Sequence, residues 1–297
     1  MWRPMPENLI RARLLSKPLK PVGETGMSSL KGMWQRRALL SLLIQREIKI
    51  RYKGTAFGVL WSMARPIVQL LVYYFAIGKI LGAERGIDQF AIFIFVGFAT
   101  WSLFAEIAST AVVCMTNNGG LIKKIYLPRE LFVVTALGNA LFTFSIYILI
   151  LMVAAPVLGQ MPIDPTKWQG FVGIGIAIVY ATALGLVLAP LNVYMRDAQH
   201  FLDVALSILF WLTPIVYSFQ RVNGAVHSNI AEQLYLLNPM AIAVMGMQKT
   251  FWTAGSSVHW PADIDARLII VFLVGLLLLF LAHRIFVKMQ ANLAQEL

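Results

Sequence analysis

The sequence predicts an all-α integral membrane protein with six transmembrane helices, and two observations support this fold class. First, hydrophobic residues make up 59% of the 297 residues and charged residues only 13%, with a mean hydropathy of +0.71. A soluble globular protein is closer to half apolar and a quarter charged, so this chain has too few charges to cover a globular surface. Second, several apolar segments reach the roughly 20 residues that a helix needs to cross about 30 Å of hydrocarbon.

The composition and the motifs exclude several kinds of chemistry. The single cysteine, Cys114, cannot form an intramolecular disulfide or a cysteine-built metal site. The four histidines, at His200, His227, His259 and His283, lack the spacing of a metal-binding motif. The chain also lacks the GxxxxGKS or GxxxxGKT loop that cradles ATP, so we expect no enzyme activity and no metal or cofactor in this chain.

The first element is a tail, and the second is a helix that does not cross the membrane. Residues 1–35 are basic and proline-bearing and lack the apolar core of a secretory signal, which predicts a flexible cytoplasmic tail. In residues 36–53, Leu39, Leu43 and Ile44 share one helical side while Arg46 and Lys49 fall on the other. This pattern predicts an amphipathic helix that lies in the headgroup layer, packs on another subunit, or does both.

Six apolar segments are predicted to cross the membrane. The fifth of them is shorter than the others. In chain order they are residues 58–81, 90–115, 131–158, 169–193, 204–219 and 268–287.

Residues 228–252 are also apolar but are not predicted to cross. Asn238-Pro239 interrupts them, and proline removes a backbone donor and disfavours helix at the residue before it. Each helical piece would be under about a dozen residues, too short to span the bilayer. We therefore predict an external re-entrant or interfacial pair of short helices.

The distribution of basic residues predicts the orientation. Residues 1–56 hold twelve of the 25 Lys and Arg residues, and the loops and C-terminal residues on the same predicted side hold six more, whereas the opposite side holds six in total. This excess places both termini in the cytoplasm, in agreement with an even number of spans. The net charge of +11 is thus explained by membrane orientation, and we expect no nucleic-acid partner.

The loop between the second and third spans carries an apolar stripe that an ordinary loop does not need. Leu121, Ile122 and Ile125 fall at helical spacing, and Pro128 ends the run. We predict a short cytoplasmic helix over residues 119–130 that docks into a partner, with a turn lying on the membrane as the alternative.

Several stretches resemble a known family. Arg51-Tyr52-Lys53-Gly54, followed by Gly58, is similar to the start of the first span in the ABC exporter permeases for O-antigen, teichoic acid and related lipid-linked polysaccharides. The resemblance continues in order to the C-terminus through four further stretches. These are residues 121–130, Tyr194-Met195-Arg196-Asp197, residues 213–217, and Asn238-Pro239.

The resemblance implies a half-transporter of the bacterial cytoplasmic membrane that dimerises and binds two copies of a separate ATPase. ATP and Mg²⁺ would then be bound by that partner, and the cargo would be a polysaccharide on polyprenyl pyrophosphate. The helix at residues 36–53 matches the interfacial helix of the family. The coupling helix, which seats in the ATPase, falls on Leu121, Ile122, Lys123, Lys124, Tyr126, Pro128, Arg129 and Glu130.

The substrate suggests roles for further residues. An anionic pyrophosphate needs cations and backbone donors at the cytoplasmic interface, where the first span begins. Positive-inside anchoring would explain the same cations equally well. The residues predicted to receive the headgroup are Arg51, Tyr52, Lys53, Gly54 and Gly58.

A sugar chain needs a surface on which it can slide, and aromatic ring faces provide one. Helix packing or contact with lipid is the alternative for each ring singly. The predicted path is Tyr73, Tyr74, Phe75, Phe210, Trp211 and Tyr217. Arg65 and Glu106 lie inside spans, where ionisable side chains seek partners, and we predict that they form a structural or gating ion pair.

Other classes of function fit less well. A permease of the same architecture could export a drug or a lipid. A proton-coupled carrier would need several intramembrane acids and repeat symmetry, but Glu106 is isolated and no internal repeat is evident. A membrane glycosyltransferase would need clustered carboxylates or metal ligands, and the acids of this chain are dispersed.

Overall fold

The computed structural model describes residues 37–54, 58, 60–80, 82, 87–124, 127–159, 167–221, 229–254, 260–261 and 263–290, so the predicted tail lies outside the described residues. The regular structure in these ranges is helical, which confirms the all-α class. The helices are α1 (Arg37–Tyr52), α2 (Leu60–Tyr73), α3 (Phe90–Asn117), α4 (Gly119–Lys124), α5 (Glu130–Val157), α6 (Gln169–Tyr194), α7 (Asp197–Trp211), α8 (Asn229–Leu236), α9 (Pro239–Phe251) and α10 (Ile264–Met289). A π-helical segment, Tyr74–Ile80, continues α2.

Five helices in the described part of the chain are long and apolar enough to cross a membrane. They are α2 with its π-helical continuation, α3, α5, α6 and α10, and they match five of the six predicted spans. The protein is therefore a multi-pass membrane protein. The side on which each terminus lies stays a prediction.

The predicted span at residues 204–219 differs from the structure. Helix α7 begins seven residues earlier, at Asp197, and ends at Trp211 after 15 residues, followed by irregular backbone over residues 212–218. A 15-residue helix is only about 22 Å long and does not cross about 30 Å of hydrocarbon. The physical reason is Pro214, which cannot continue the helical hydrogen-bond pattern.

Helix α3 forms the centre of the molecule. Most of its residues from Phe90 to Met115 are buried, and it packs against α5, α6 and α9. Cys114 lies near its end, 6% exposed, in an apolar cluster with residues of α5, α6 and α10. By contrast, α2 and α10 keep large apolar side chains on the surface, as helices facing lipid or another subunit do.

Small residues let α6 and α9 approach closely. A Cβ atom added at Gly173 of α6 would lie 2.5 Å from the carbonyl oxygen of Ala243 in α9. A Cβ added at Gly246 of α9 would lie 2.8 Å from the carbonyl oxygen of Gln169. The two backbones therefore touch at these positions, and only glycine fits.

The Asn238-Pro239 break separates two helices, as predicted. The Asn238 side-chain oxygen accepts a hydrogen bond from the Met240 backbone N–H at 3.0 Å, and Pro239 occupies the first helical position of α9. Helix α8 has 8 residues, as expected for a short piece, whereas α9 has 13 and is slightly longer than predicted. At about 20 Å, α9 remains too short to span the bilayer.

The irregular segment after α7 is held by α9 and its N-cap residue, Asn238. The Gln248 side-chain amide of α9 donates to the Pro214 carbonyl oxygen at 3.0 Å. The Asn238 amide donates to the Leu212 carbonyl oxygen at 3.2 Å. Backbone groups released by the end of α7 thus find partners on α9, which is the condition for irregular backbone at membrane depth.

Helix α1 packs with the side that the sequence predicts to be apolar. Leu43 is buried and Ile44 contacts Gly138 of α5, while Arg46 and Lys49 are exposed. The amphipathic helix thus rests on α5 of its own chain.

Candidate functional site

A cavity of about 880 Å³ opens between the end of α1 and helices α2, α3, α5 and α7. It combines aromatic rings with hydroxyl, amide and charged groups. Its lining residues are Arg51, Tyr52, Trp61, Ser62, Pro66, Gln69, Tyr73, Phe98, Trp101, Ser102, Ala105, Glu106, Ser109, Thr110, Thr143, Tyr147, Leu206, Ser207, Phe210 and Trp211.

Helical periodicity explains why these residues meet. On α2 the lining side chains include Ser62, Pro66, Gln69 and Tyr73, which follow one another at intervals of three or four residues. Residues three and four apart share a face of an α-helix, so one stripe of α2 faces the cavity. The lining residues of α3 and α5 follow the same spacing.

Aromatic rings from several helices form one wall of the cavity. The Tyr73 ring lies 6.0 Å from Phe98 and 6.2 Å from Phe210, measured between ring centroids. The Trp101 ring meets Phe210 edge to face at 5.6 Å, and Phe98 lies 6.1 Å from Tyr147. These contacts link α2, α3, α5 and α7, and the rings present an aromatic surface to the space.

An ion pair lies at the α1 end of the cavity. Arg51 Nη1 donates to Glu106 Oε1 at 2.7 Å, and the Thr143 hydroxyl donates to the same oxygen at 3.0 Å. Burial alone would lower the pKa of the Arg51 guanidinium, but the hydrogen bond and charge of Glu106 outweigh it, so that pKa lies above its usual value. The pair connects α1 to α3 and α5.

The structure gives Glu106 a partner that the sequence did not predict. Glu106 pairs with Arg51, whereas the predicted partner was Arg65, whose side chain lies outside the described residues, so the Arg65 pair stays a prediction. The physical reason is that α1 ends next to the middle of α3, a contact between distant segments that a span-by-span register does not reveal.

The structure brings only some of the predicted headgroup residues to the cavity. Arg51 and Tyr52 line it, whereas Lys53 and Gly54 lie exposed on the turn after α1. Gly54 has a φ of +78° and Gly58 of +52°, conformations that side-chain-bearing residues rarely adopt. These glycines therefore shape the turn between α1 and α2.

Only half of the aromatic residues predicted for the glycan path line the cavity. Tyr73, Phe210 and Trp211 line the cavity. Tyr74 has the Lys79 ammonium 5.6 Å from its ring centroid, Phe75 is 55% exposed, and the Tyr217 hydroxyl donates to the Trp211 carbonyl oxygen at 2.7 Å. None of these three is among the lining residues of this cavity.

The sequence missed half of the aromatic wall and the hydroxyl groups. Trp101, Phe98 and Tyr147 belong to spans whose residues are apolar throughout, so no amphipathic pattern distinguishes the cavity face. The available signal was the stripe from Ser62 to Tyr73 on α2, where polar residues recur at helical spacing in an apolar span.

The predicted coupling helix is shorter than residues 119–130. Helix α4 is Gly119–Lys124 and α5 begins at Glu130, because Pro128 cannot continue a helix. Leu121 and Ile122 are half-buried against an apolar cluster of the same chain, and Lys123 is exposed. Tyr126 and the Lys124 side chain lie outside the described residues.

Two polar atoms near this loop have no partner. Pro128 and Arg129 are half-buried, and Glu130 is only 4% exposed. Arg129 Nη1 and Glu130 Oε1 are both buried without a hydrogen bond. Such atoms are costly to leave unpaired, so we expect water or a bound partner to satisfy them.

Comparison with known proteins agrees with this architecture. The ABC-2 type transporter family matches residues 38–252. The chain is 27% identical over 269 residues to the O-antigen export system permease protein RfbA of Myxococcus xanthus, covering 89% of this chain and 97% of that protein. A protein of the same name from Klebsiella pneumoniae is 24% identical over 263 residues, covering 87% of this chain and 95% of that protein. The chain therefore belongs to the ABC-2 type transporter family.

Proposed function

We propose that this chain is the transmembrane subunit of an ATP-driven exporter that moves a polysaccharide on polyprenyl pyrophosphate across the bacterial cytoplasmic membrane. The family and the names of the two relatives support an export permease for a cell-envelope glycan. The observation that carries the proposal is the cavity, which combines an aromatic wall, a row of hydroxyl groups and a cation at one end.

The lining suits a sugar better than an apolar cargo. The Tyr73, Trp101 and Phe210 rings offer faces on which the C–H side of a sugar packs without a fixed hydrogen-bond register. Ser102, Ser109 and other hydroxyl groups on the same surface offer hydrogen bonds that can be exchanged. A pocket for a drug or a lipid tail would instead be predominantly apolar.

A second copy of the chain is proposed to close the cavity. Helix α2 exposes Val68 and Val72, and α7 exposes Val204 and Ile208, so apolar surface flanks the opening on both sides. The polar groups between these helices would face lipid in a single copy, which is unfavourable in hydrocarbon. A homodimer that pairs these faces would enclose a polar path between the two copies.

ATP hydrolysis is proposed to come from two copies of a separate ATPase that seat on the loop containing α4. The exposed Lys123 and the unpaired Arg129 and Glu130 atoms support this assignment, since a partner could satisfy them. The ATP and Mg²⁺ would be bound by that subunit.

Reversing the charge of Lys123 is expected to weaken the association with the ATPase roughly tenfold. An ATPase surface that complements Lys123 would be acidic, so a glutamate at this position would repel it. The measurement is the amount of ATPase that copurifies with Lys123→Glu permease over a series of salt concentrations. Lys288→Glu, which reverses an exposed charge near the end of α10, is the matched control and should bind normally. Equal copurification of both variants would rule Lys123 out of the interface.

The pyrophosphate headgroup is proposed to bind at Arg51, at the cavity end nearest the α1–α2 turn, with Lys53 adding charge from that turn. Arg51→Gln is expected to abolish the stimulation of ATPase activity by a lipid-linked oligosaccharide, and Lys53→Gln to reduce it. Dimer assembly should persist in both variants. Lys288→Gln serves as the control for the loss of one positive charge. If Arg51→Gln retains full stimulation, the cation only anchors the helix.

The experiment that tests the function as a whole is reconstitution. The permease is copurified with a candidate ATPase, and lipid-linked oligosaccharides are compared with amphipathic drugs and bulk phospholipids as stimulators of hydrolysis. Stimulation by the oligosaccharides alone supports glycan export. Stimulation by a drug or a phospholipid alone would assign the same architecture to another cargo.

A further inference from the structure

The cation proposed to receive the headgroup is already neutralised within the chain. Glu106 Oε1 accepts hydrogen bonds from Arg51 Nη1 at 2.7 Å and from the Thr143 hydroxyl at 3.0 Å. The Arg51 side chain is 40% exposed and that of Glu106 is 22% exposed, so both can be reached from the cavity. A carboxylate thus occupies the position at which a substrate phosphate would meet Arg51.

The surroundings explain why an unpaired arginine here would be a problem. A lipid-linked substrate has to reach Arg51 from the bilayer, so the α1 end of the cavity is accessible to lipid headgroups even when a second copy closes the rest. An arginine in contact with a bilayer meets phospholipid headgroups at high concentration, and guanidinium binds phosphate oxygens with two parallel hydrogen bonds. Without a competitor, bulk lipid would fill the site.

We propose that Glu106 is a selectivity element that competes with lipid phosphates for Arg51. Singly charged phosphodiester lipids do not displace the Glu106 carboxylate, whereas a pyrophosphate-linked headgroup does. This inference rests on the proposed function. A phosphodiester carries one negative charge, as Glu106 does, but Glu106 is held in place by the fold and needs no ordering. A phosphodiester therefore gains little binding free energy by displacing Glu106 from Arg51, whereas a pyrophosphate brings more charge and more acceptor oxygens.

The displaced carboxylate keeps a partner. The Thr143 hydroxyl donates to Glu106 Oε1 at 3.0 Å and accepts from Arg51 Nη1 at 3.3 Å, so Glu106 can keep the hydrogen bond from Thr143 after the guanidinium turns to the substrate. The exchange therefore leaves the partly exposed carboxylate with one hydrogen-bond donor from the protein.

The test compares two ligands on the purified permease–ATPase complex in nanodiscs of phosphatidylcholine, by calorimetry with empty nanodiscs subtracted. The ligands are farnesyl pyrophosphate and dihexanoyl phosphatidylglycerol. We expect the wild type to prefer the pyrophosphate by at least about tenfold, and Glu106→Gln to bind phosphatidylglycerol about tenfold more tightly and so lose most of that preference. Glutamine preserves the shape and can still accept from Thr143.

The matched control is Glu47→Gln, the same substitution on α1 at a residue that does not line the cavity. It should leave the preference unchanged, because a general loss of negative charge is not the mechanism. Should Glu106→Gln fail to accumulate, Glu106→Asp replaces it, since the shorter carboxylate should weaken the pair and produce a partial loss of preference.

The outcomes separate this inference from the proposed function. If Arg51→Gln abolishes binding of farnesyl pyrophosphate but the Glu106 variant keeps the wild-type preference, Glu106 is not a selectivity element and the headgroup site stands. If Glu47→Gln loses the preference for farnesyl pyrophosphate as much as Glu106→Gln does, Glu106 is likewise not a selectivity element. If Arg51→Gln binds farnesyl pyrophosphate as the wild type does, the headgroup site itself is wrong.

Discussion

Replacing Gly173 by alanine is expected to destabilise the permease by about 3 kcal/mol, the upper part of the range for overpacking a core. The new Cβ atom would lie 2.5 Å from the carbonyl oxygen of Ala243, which is backbone and cannot rotate away. Helix α9 would have to move off α6. Because α9 also supplies Gln248 to the segment after α7, the displacement would reach the structure around Pro214.

The measurement is the midpoint of thermal aggregation of purified permease, followed by size-exclusion chromatography. Gly120→Ala is the matched control, since a Cβ atom at this helical glycine has nothing within 4 Å. Alanine favours a helix over glycine by up to about 1 kcal/mol in both variants, so their difference isolates the steric effect. Equal midpoints for the two variants would show that α6 and α9 do not touch at Gly173.

Replacing Gln248 by glutamate is expected to destabilise the permease by about 3 kcal/mol or more. Gln248 is 1% exposed, and its amide donates to the Pro214 carbonyl oxygen at 3.0 Å. A carboxylate has no hydrogen to donate when ionised, so the substitution buries a charge against a carbonyl oxygen. Glutamate would have to take up a proton or expel the segment after α7.

Two further variants separate the possible causes. Gln248→Leu removes the donor without adding a charge and should cost less, about 1–3 kcal/mol for the unpaired carbonyl. Gln233→Glu makes the same change on α8, at an exposed residue that already accepts from Arg267 at 2.7 Å, and should be neutral or stabilising. Retention of normal stability by Gln248→Glu would mean that α9 does not hold the broken segment.

The long spans could be predicted closely from the sequence. The predicted segment 90–115 became Phe90–Asn117, and 169–193 became Gln169–Tyr194, because crossing hydrocarbon imposes a length and a composition that the chain displays directly. The segment 204–219 was misplaced because hydropathy continues through Pro214, although the helix does not. Its true start lies in the polar residues near Asp197, which hydropathy does not mark.

The site was less predictable for geometrical reasons. Each residue of a helix is rotated by about 100° from the one before it, so Tyr73 and Phe75, two positions apart, point in nearly opposite directions. They could not both face one cavity, and only Tyr73 does. The partner of Glu106 depended on where α1 ends relative to α3, which no local pattern encodes. Residue types and helix faces could therefore be predicted, but the pairing of faces could not.

The burial of Cys114 makes the chain convenient for thiol labelling. As the sole sulfhydryl of the sequence is 6% exposed and packed among apolar side chains, a maleimide reagent has no ready native target. A cysteine introduced at an exposed position, such as Lys123 in α4 or Lys288 in α10, would then provide the reactive group, and an impermeant reagent applied to intact cells would report on which side of the bilayer it lies.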